Sequence, residues 1–219
     1  MNCCDCQEFR ISKILKREDF FTTWSSSHGG ANISGIVKLW LSISFLITRP
    51  LSKLRVTPNG LTLLGLLFGV LLYLNANSFW APFLLVISLI CDGVDGSLAI
   101  ITGKDSKWGA VLDSVVDRLT EVFWVLALYE IGADIYLLIT VIALASAQEY
   151  LRARAGGLGL SEVGVVTLAE RPVRASFVFV ALIAALLEMT IINQITLIWL
   201  VLQLISFFMI SRFTYLRLR

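Results

Sequence analysis

The sequence is short of charge. Asp, Glu, Lys and Arg make up 16% of its 219 residues, where soluble domains carry about 25%. Apolar residues make up 57%, above the roughly 45–50% of soluble domains, so a soluble globular class is excluded. A one-domain polytopic membrane protein is expected instead. Lys and Arg (18) nearly balance Asp and Glu (16), and no nucleic-acid partner is expected. Histidine occurs once, at His28, and reads as a surface or turn residue. Without a nearby histidine, Cys3, Cys4 and Cys6 lack a fourth zinc ligand and read as reduced thiols with no shared role; Cys91 stands alone in a helix. The first twenty residues have no apolar core of the kind a cleavable leader needs. Heptads, soluble repeats and low-complexity tracts are also missing.

What is present is a series of apolar stretches near the length of about 20 residues that spans a bilayer as a helix. Six occur, near 58–75, 80–102, 109–131, 134–155, 173–189 and 192–212. The stretch before them, 33–56, mixes apolar residues with Lys38, Arg49, Pro50 and Lys53, which favours an amphipathic helix lying in the interface. The expected fold is therefore an all-α integral membrane protein with six transmembrane helices after an interfacial helix. Residues 1–32 form a polar cytosolic lead-in, 57–212 the six-helix domain and 213–219 a basic tail. Lys and Arg collect in alternate connections, at Arg49 to Arg55, Lys104 and Lys107, Arg152 to Arg174, and Arg212 to Arg219. The other connections, near 75–79, 131–134 and 188–194, have none. Basic residues favour the cytoplasmic side, so both ends and the charged face are expected there, in a multi-pass protein of the cell membrane. The segment Gly156 to Gly164 reads as a flexible cytosolic connection with a binding role.

Against this background, four acids are out of place. Asp92 and Asp95 lie about 10–15 Å in from the inner end of the second span, and Asp113 and Asp117 about 6–12 Å in from the same side on the third. Spacings of three and four put each pair on one helix face. An ionised carboxylate at mid-bilayer costs at least about 2.5–3.5 kcal/mol on insertion scales, so protonation, basic partners or bound cations must offset the cluster. All-oxygen ligands favour Mg²⁺, Mn²⁺ or Ca²⁺ over zinc. A pair of such ions is a device of phosphoryl-group chemistry. Gly93, Gly96 and Gly109 leave room for a headgroup, although small residues also serve helix packing. Thr57 and Pro58 suit the start of a helix, and that N-terminus, with Asn59 and Thr62, also suits an anionic nucleotide.

The run Asp92-x-x-Asp95-Gly96-x-x-Ala99, followed after position 100 and eight intervening residues by Gly109-x-x-x-Asp113-x-x-x-Asp117, resembles the signature of the CDP-alcohol phosphotransferase family. It departs at one place: the family has arginine after the alanine, and here Ile100 removes that guanidinium. The resemblance covers roughly 36–212. It implies six transmembrane helices, an interfacial helix and a homodimer. It further implies metal binding by Asp92, Asp95, Asp113 and Asp117, with Asp117 also the general base. The cofactor would be Mg²⁺ or Mn²⁺, as two ions. Thr57, Pro58, Asn59, Thr62, Asp92, Gly96, Ala99 and Gly109 would lie along the nucleotide. An alcohol hydroxyl would attack the lipid-linked phosphate of CDP-diacylglycerol and release CMP.

Arg152 and Arg154 end the fourth span, and Arg171 and Arg174 flank Pro172 at the fifth. Topology alone would place basic residues here, but arginine's planar fork also suits phosphate. The Glu-Arg-Pro-x-Arg element resembles the phosphatidylinositol phosphate synthase branch, which implies an acceptor that is itself phosphorylated. Inositol 1-phosphate leads and glycerol 3-phosphate follows, with these four arginines at its phosphate. Glu121 and Glu149 read as ion-pair supports for nearby arginines. Intramembrane carboxylates also mark ion pathways, so an ion-coupled transporter is a competing class, although no internal repeat of the kind common in transporters is visible. A silent membrane scaffold is a third.

Overall fold

The computed structural model of the chain describes residues 17–27, 32–160 and 166–219. Cys3, Cys4, Cys6, His28 and most of Gly156 to Gly164's second half (161–164) lie outside them. The described residues form eight α-helices and no strand: α1 (Arg17–Ser27), α2 (Gly35–Lys53), α3 (Pro58–Leu74), α4 (Ala81–Thr102), α5 (Lys107–Glu130), α6 (Ile135–Gly157), α7 (Arg171–Leu186) and α8 (Ile192–Leu218). Their starts follow local chemistry. Thr57 accepts from the Gly60 amide ahead of Pro58, Ser106 from Gly109, and Asp134 from Tyr136 and Leu137, which satisfies amides that have no intrahelical partner.

α4, α6 and α8 are long and apolar enough to cross a membrane. α2 and α3 meet at 110° and would add a fourth crossing if counted as one broken span. α3 and α7 have 17 and 16 residues, about 24–26 Å of helix at 1.5 Å per residue, against a hydrocarbon core of about 30 Å. α5 is long enough but carries Lys107, Asp113, Asp117, Arg118 and Glu121. The chain is thus an all-helical multi-pass membrane protein. The bend between α2 and α3 is made by Arg55, at φ 58°: its amide donates to the Ser52 carbonyl, and that of Val56 to Leu51, the paired bonds of a helix C-terminal cap. α2 itself runs through Pro50 to Lys53, burying Leu41, Ser44, Phe45 and Thr48 while Leu39, Ile43 and Leu46 stay exposed.

The polar lead-in expected over 1–32 contains α1, whose Phe20 is fully buried against Leu41, Phe45 and Ile101. The main core, with Leu72, Leu85, Trp124, Leu128, Leu138, Leu182 and Trp199, fills the half of the bundle nearest the α3–α4 and α5–α6 turns. The acids therefore gather at the opposite end, where α4 stops at Gly103 in the left-handed conformation (φ 61°). α3 can approach α4 closely because of Gly65. Ser88 Oγ donates to the Gly65 carbonyl at 2.7 Å, and a β-carbon built on Gly65 would lie 3.3 Å from the Ser88 backbone oxygen.

Gly65→Leu should therefore force α3 away from α4 and break the Ser88 bond. A loss of roughly 1–3 kcal/mol, the range typical of overpacking, is expected and would appear as a lowered Tm in detergent-solubilised protein.

Candidate functional site

α4 and α5 each pack against α3 and α7, and the four acids belong to the second half of α4 and the first half of α5. One ligand oxygen from each of Asp92, Asp113 and Asp117 can be chosen so that all lie within 4.8 Å of one another. Asp95 stands apart from that trio. It is buried, with Oδ2 accepting from Thr62 at 2.5 Å and Oδ1 from the Gly96 amide at 2.6 Å. Three carboxylates so close repel one another unless positive charge is supplied, and hard oxygen donors in this number fit Mg²⁺ or Mn²⁺. The protein already directs a cation to the same point: the Arg171 guanidinium is ion-paired to Asp92 and lies 2.9 Å from Asp117 Oδ1. The donor set of Asp92, Asp113 and Asp117 therefore fits a divalent ion.

Each member of the trio faces a different cavity. Asp113 lines one of about 520 Å³, with Pro58, Asn59, Thr62, Asp95, Gly96, Ala99, Lys104 and Gly109. Six of the eight residues expected along a nucleotide share this wall. Of the other two, Thr57 caps α3 and Asp92 faces elsewhere. Glycine at 109 matters sterically, because a β-carbon there would come within 3.2 Å of Asn59 Oδ1. Asp92 lines an apolar groove of about 970 Å³ between α4 and α7, with Trp40, Leu85, Leu89, Arg171 and Phe179. Asp117 lines a third cavity of about 800 Å³ between α5 and α6, with Ser114, Arg118, Ser146, Glu149, Tyr150 and Arg152.

The four arginines expected at an acceptor phosphate are divided among different places. Arg154 is exposed near the end of α6. Arg152 faces the α5–α6 cavity and is gripped by Glu170, with Nη1 to Oε2 at 2.8 Å and Nη2 to Oε1 at 2.5 Å. Arg171 sits on the acids. Arg174 is fully buried and turned inward: it contacts Glu121 (2.9 Å), Glu149 (3.3 Å) and the Ala169 carbonyl (3.1 Å), so all its nitrogens are engaged inside the protein. Glu121, nearly inaccessible, also takes Arg118 at 3.1 Å. Burial by itself would raise the Glu170 carboxyl, but hydrogen bonds from Arg152 and from the Thr167 hydroxyl and amide prevail and hold it at about 2. Ile100 packs against the α1–α2 cluster around Phe20 and also lines the Asp113 cavity. The apolar neighbours account for an apolar residue at this place.

Sequence reasoning did not single out Trp40, Thr167 or Gln203, and it named Glu170 only as the first residue of the Glu-Arg-Pro-x-Arg element. For Gln203 a signal existed, an amide within the otherwise apolar run Leu197 to Ile205. Trp40 offered none, since only the fold brings it over Gly93.

The profile of the CDP-alcohol phosphatidyltransferase family matches residues 55–210. A phosphatidylinositol phosphate synthase of Cutibacterium acnes is 33% identical over 144 residues, covering 60% of this chain and 70% of its own. An archaetidylinositol phosphate synthase of Pyrococcus horikoshii is 33% identical over 142 residues, covering 62% and 73%. In fold, the chain is similar to the crystal structure of Mycobacterium tuberculosis phosphatidylinositol phosphate synthase with CDP-DAG bound. The TM-score is 0.63 at 21% identity, over 80% of this chain and 94% of that one. The same enzyme in complex with manganese and citrate gives 0.63 over 78% and 88%.

Asp113→Asn should weaken Mn²⁺ binding, read by titration calorimetry, by at least the roughly 10–100-fold typical of losing a residue that merely supports a metal ligand. Glu170 generates a second expectation. Its folded value lies below its ordinary 4.5, so the stability it adds is complete above pH 4.5 and fades as pH falls towards about 2. Thermal unfolding followed across that window should drop more steeply for the native chain than for Glu170→Gln.

Proposed function

Because the chain belongs to the CDP-alcohol phosphatidyltransferase family, we propose that it transfers the phosphatidyl group of CDP-diacylglycerol to a hydroxyl of a phosphorylated polyol, inositol 1-phosphate favoured, releasing CMP. The observation that carries this reading is the meeting of three unlike cavities at one acid cluster. The polar cavity beside Asp113 suits the cytidine diphosphate, with Pro58, Asn59, Thr62, Gly96, Ala99 and Gly109 along it and Thr57 capping the helix that presents the first three. The apolar groove ending at Asp92 suits acyl chains. The cavity beside Asp117, with Arg152 at its wall, suits a water-soluble acceptor. The names of the relatives, which specify inositol phosphate products, favour that acceptor over glycerol 3-phosphate.

In the reaction so proposed, the acceptor's hydroxyl oxygen attacks the phosphatidyl phosphorus. The bond from that phosphorus to the bridging diphosphate oxygen breaks, and CMP leaves with the electron pair. Asp117 faces the acceptor cavity and takes the hydroxyl proton as general base. Asp92, Asp113 and Asp117 would hold Mg²⁺ or Mn²⁺, with Asp95 contributing to a second ion from the nucleotide side. Bound there, such ions withdraw charge from the diphosphate and stabilise its leaving group. Arg152, Arg154 and Arg171 meet the acceptor phosphate through planar forks. Arg174 serves from inside, fixing Glu121 and Glu149 behind them.

The same reading makes α3–α8 six crossings of the cell membrane, α2 an interfacial helix, and the chain a homodimer with both termini and the site on the cytoplasmic side. The alternation of Lys and Arg among the connections supports that orientation.

Purified protein in mixed micelles with CDP-diacylglycerol and Mg²⁺ should release CMP when inositol 1-phosphate is added, and more slowly or not at all with glycerol 3-phosphate. Silence with both overturns the reading. Asp117→Asn should lower kcat by about 10²–10⁴-fold, the usual contribution of a positioned base.

A further inference from the structure

α6 and α8 pack closely, and two glutamines meet inside their interface. Gln203 of α8 and Gln148 of α6 are both fully buried. Gln203 Nε2 donates to Gln148 Oε1 at 2.9 Å, and Gln148 Nε2 donates to the Thr167 hydroxyl at 3.2 Å. That hydroxyl donates to Glu170 Oε1 at 2.6 Å, and the Thr167 amide donates to the same oxygen at 2.7 Å. Glu170 then grips Arg152 with both oxygens. The chain of bonds thus runs unbroken from the middle of α8 to the wall of the α5–α6 cavity.

We propose that Gln203 and Gln148 are positioning residues that hold Arg152 for the acceptor phosphate through Thr167 and Glu170. The inference rests on the acceptor reading of Arg152 given above. Packing alone does not account for the pair. Gln203 Oε1 is buried without a hydrogen-bond partner, a penalty that an apolar side chain of the same length would avoid. Nor is the pair required merely to tether the connection before α7, because the Ser206 hydroxyl already accepts from the Ala169 amide at 2.8 Å. What the glutamines add is direction. With Thr167 held from behind, Glu170 is fixed at two points, and an arginine gripped by both carboxylate oxygens keeps one orientation.

The test is steady-state kinetics of the full chain in micelles, with donor and acceptor varied separately. Gln203→Leu and Gln148→Leu should raise the KM for inositol 1-phosphate on the order of tenfold, as small misplacements of a binding group do, while the KM for CDP-diacylglycerol stays unchanged. Thr167→Val, which cuts the same relay at a single hydroxyl, should reproduce the effect and stands in if a glutamine variant does not fold. Ser206→Ala should leave both KM values unchanged. Equal rises in donor and acceptor KM, or no rise in either, would overturn the relay. If Arg152→Ala itself leaves the acceptor KM unchanged, the acceptor reading of Arg152 fails and the relay with it. If Arg152→Ala raises that KM and the relay variants do not, only the relay fails.

Discussion

Carboxylates packed within 4.8 Å of one another at the end of an apolar bundle demand positive charge, and much of the architecture answers that demand. The first turn of α7 brings Arg171 onto Asp92 and Asp117. One turn further, Arg174 is driven fully inside to meet Glu121 and Glu149. Arg118 reaches Glu121 from α5 itself. Breaking one member of such a buried set leaves an unpaired charge, which is far more damaging than never having had the pair. α4, α5, α6 and α7 are thus bound to one another at this end by charge, and at the other end by the leucines and tryptophans of the core. The three cavities that meet at the acids all open at the charged end.

Much of this was legible in the sequence wherever a local pattern carries the information. The three- and four-residue spacings of the acids fix which helix face they share, and Asp92, Asp113 and Asp117 do meet, with Asp95 set apart. Thr57 and Pro58 announce the start of α3 because capping is decided within one turn. The arginines were harder. Arg171 and Arg174 are three residues apart and chemically identical, yet one lies on the acid cluster and the other is wholly interior. That difference comes from Glu121 and Glu149, which only the assembled bundle brings to α7. The number of crossings shows a similar limit: composition suggests six apolar stretches, whereas regular helix length and charge make α4, α6 and α8 the ones that qualify individually. Gln148 and Gln203 are each legible as amides in apolar stretches, but their meeting is not, because only the assembled bundle brings α6 against α8.

The departure at Ile100 acquires a physical setting from α1. An extra helix lies across the middle of α2 and the end of α4, seated by Phe20 among Leu41, Phe45 and Ile101 and linked to α2 by a bond from Arg17 to Ser42 of 2.6 Å. A guanidinium at position 100 would have to share that apolar seat. With isoleucine there, the wall of the polar cavity and the underside of α1 are one continuous hydrophobic contact. The basic groups remaining at that cavity come from the α4–α5 connection, at Lys104 and Lys107.

The groove between α4 and α7 has apolar walls from Leu85 to Phe179, with Asp92 and Arg171 at its polar end and Trp40 beside it. Its residues Val86 and Val180 are exposed, so the way in is sideways, out of the surrounding bilayer. On the proposed reading, the two reactants therefore arrive from spaces of different dimension, one diffusing in a plane and the other in a volume. Encounter with the lipid would be governed by its share of the membrane surface. The same passage provides an exit for the lipid product, so dilution by bystander lipids would slow arrival while favouring departure.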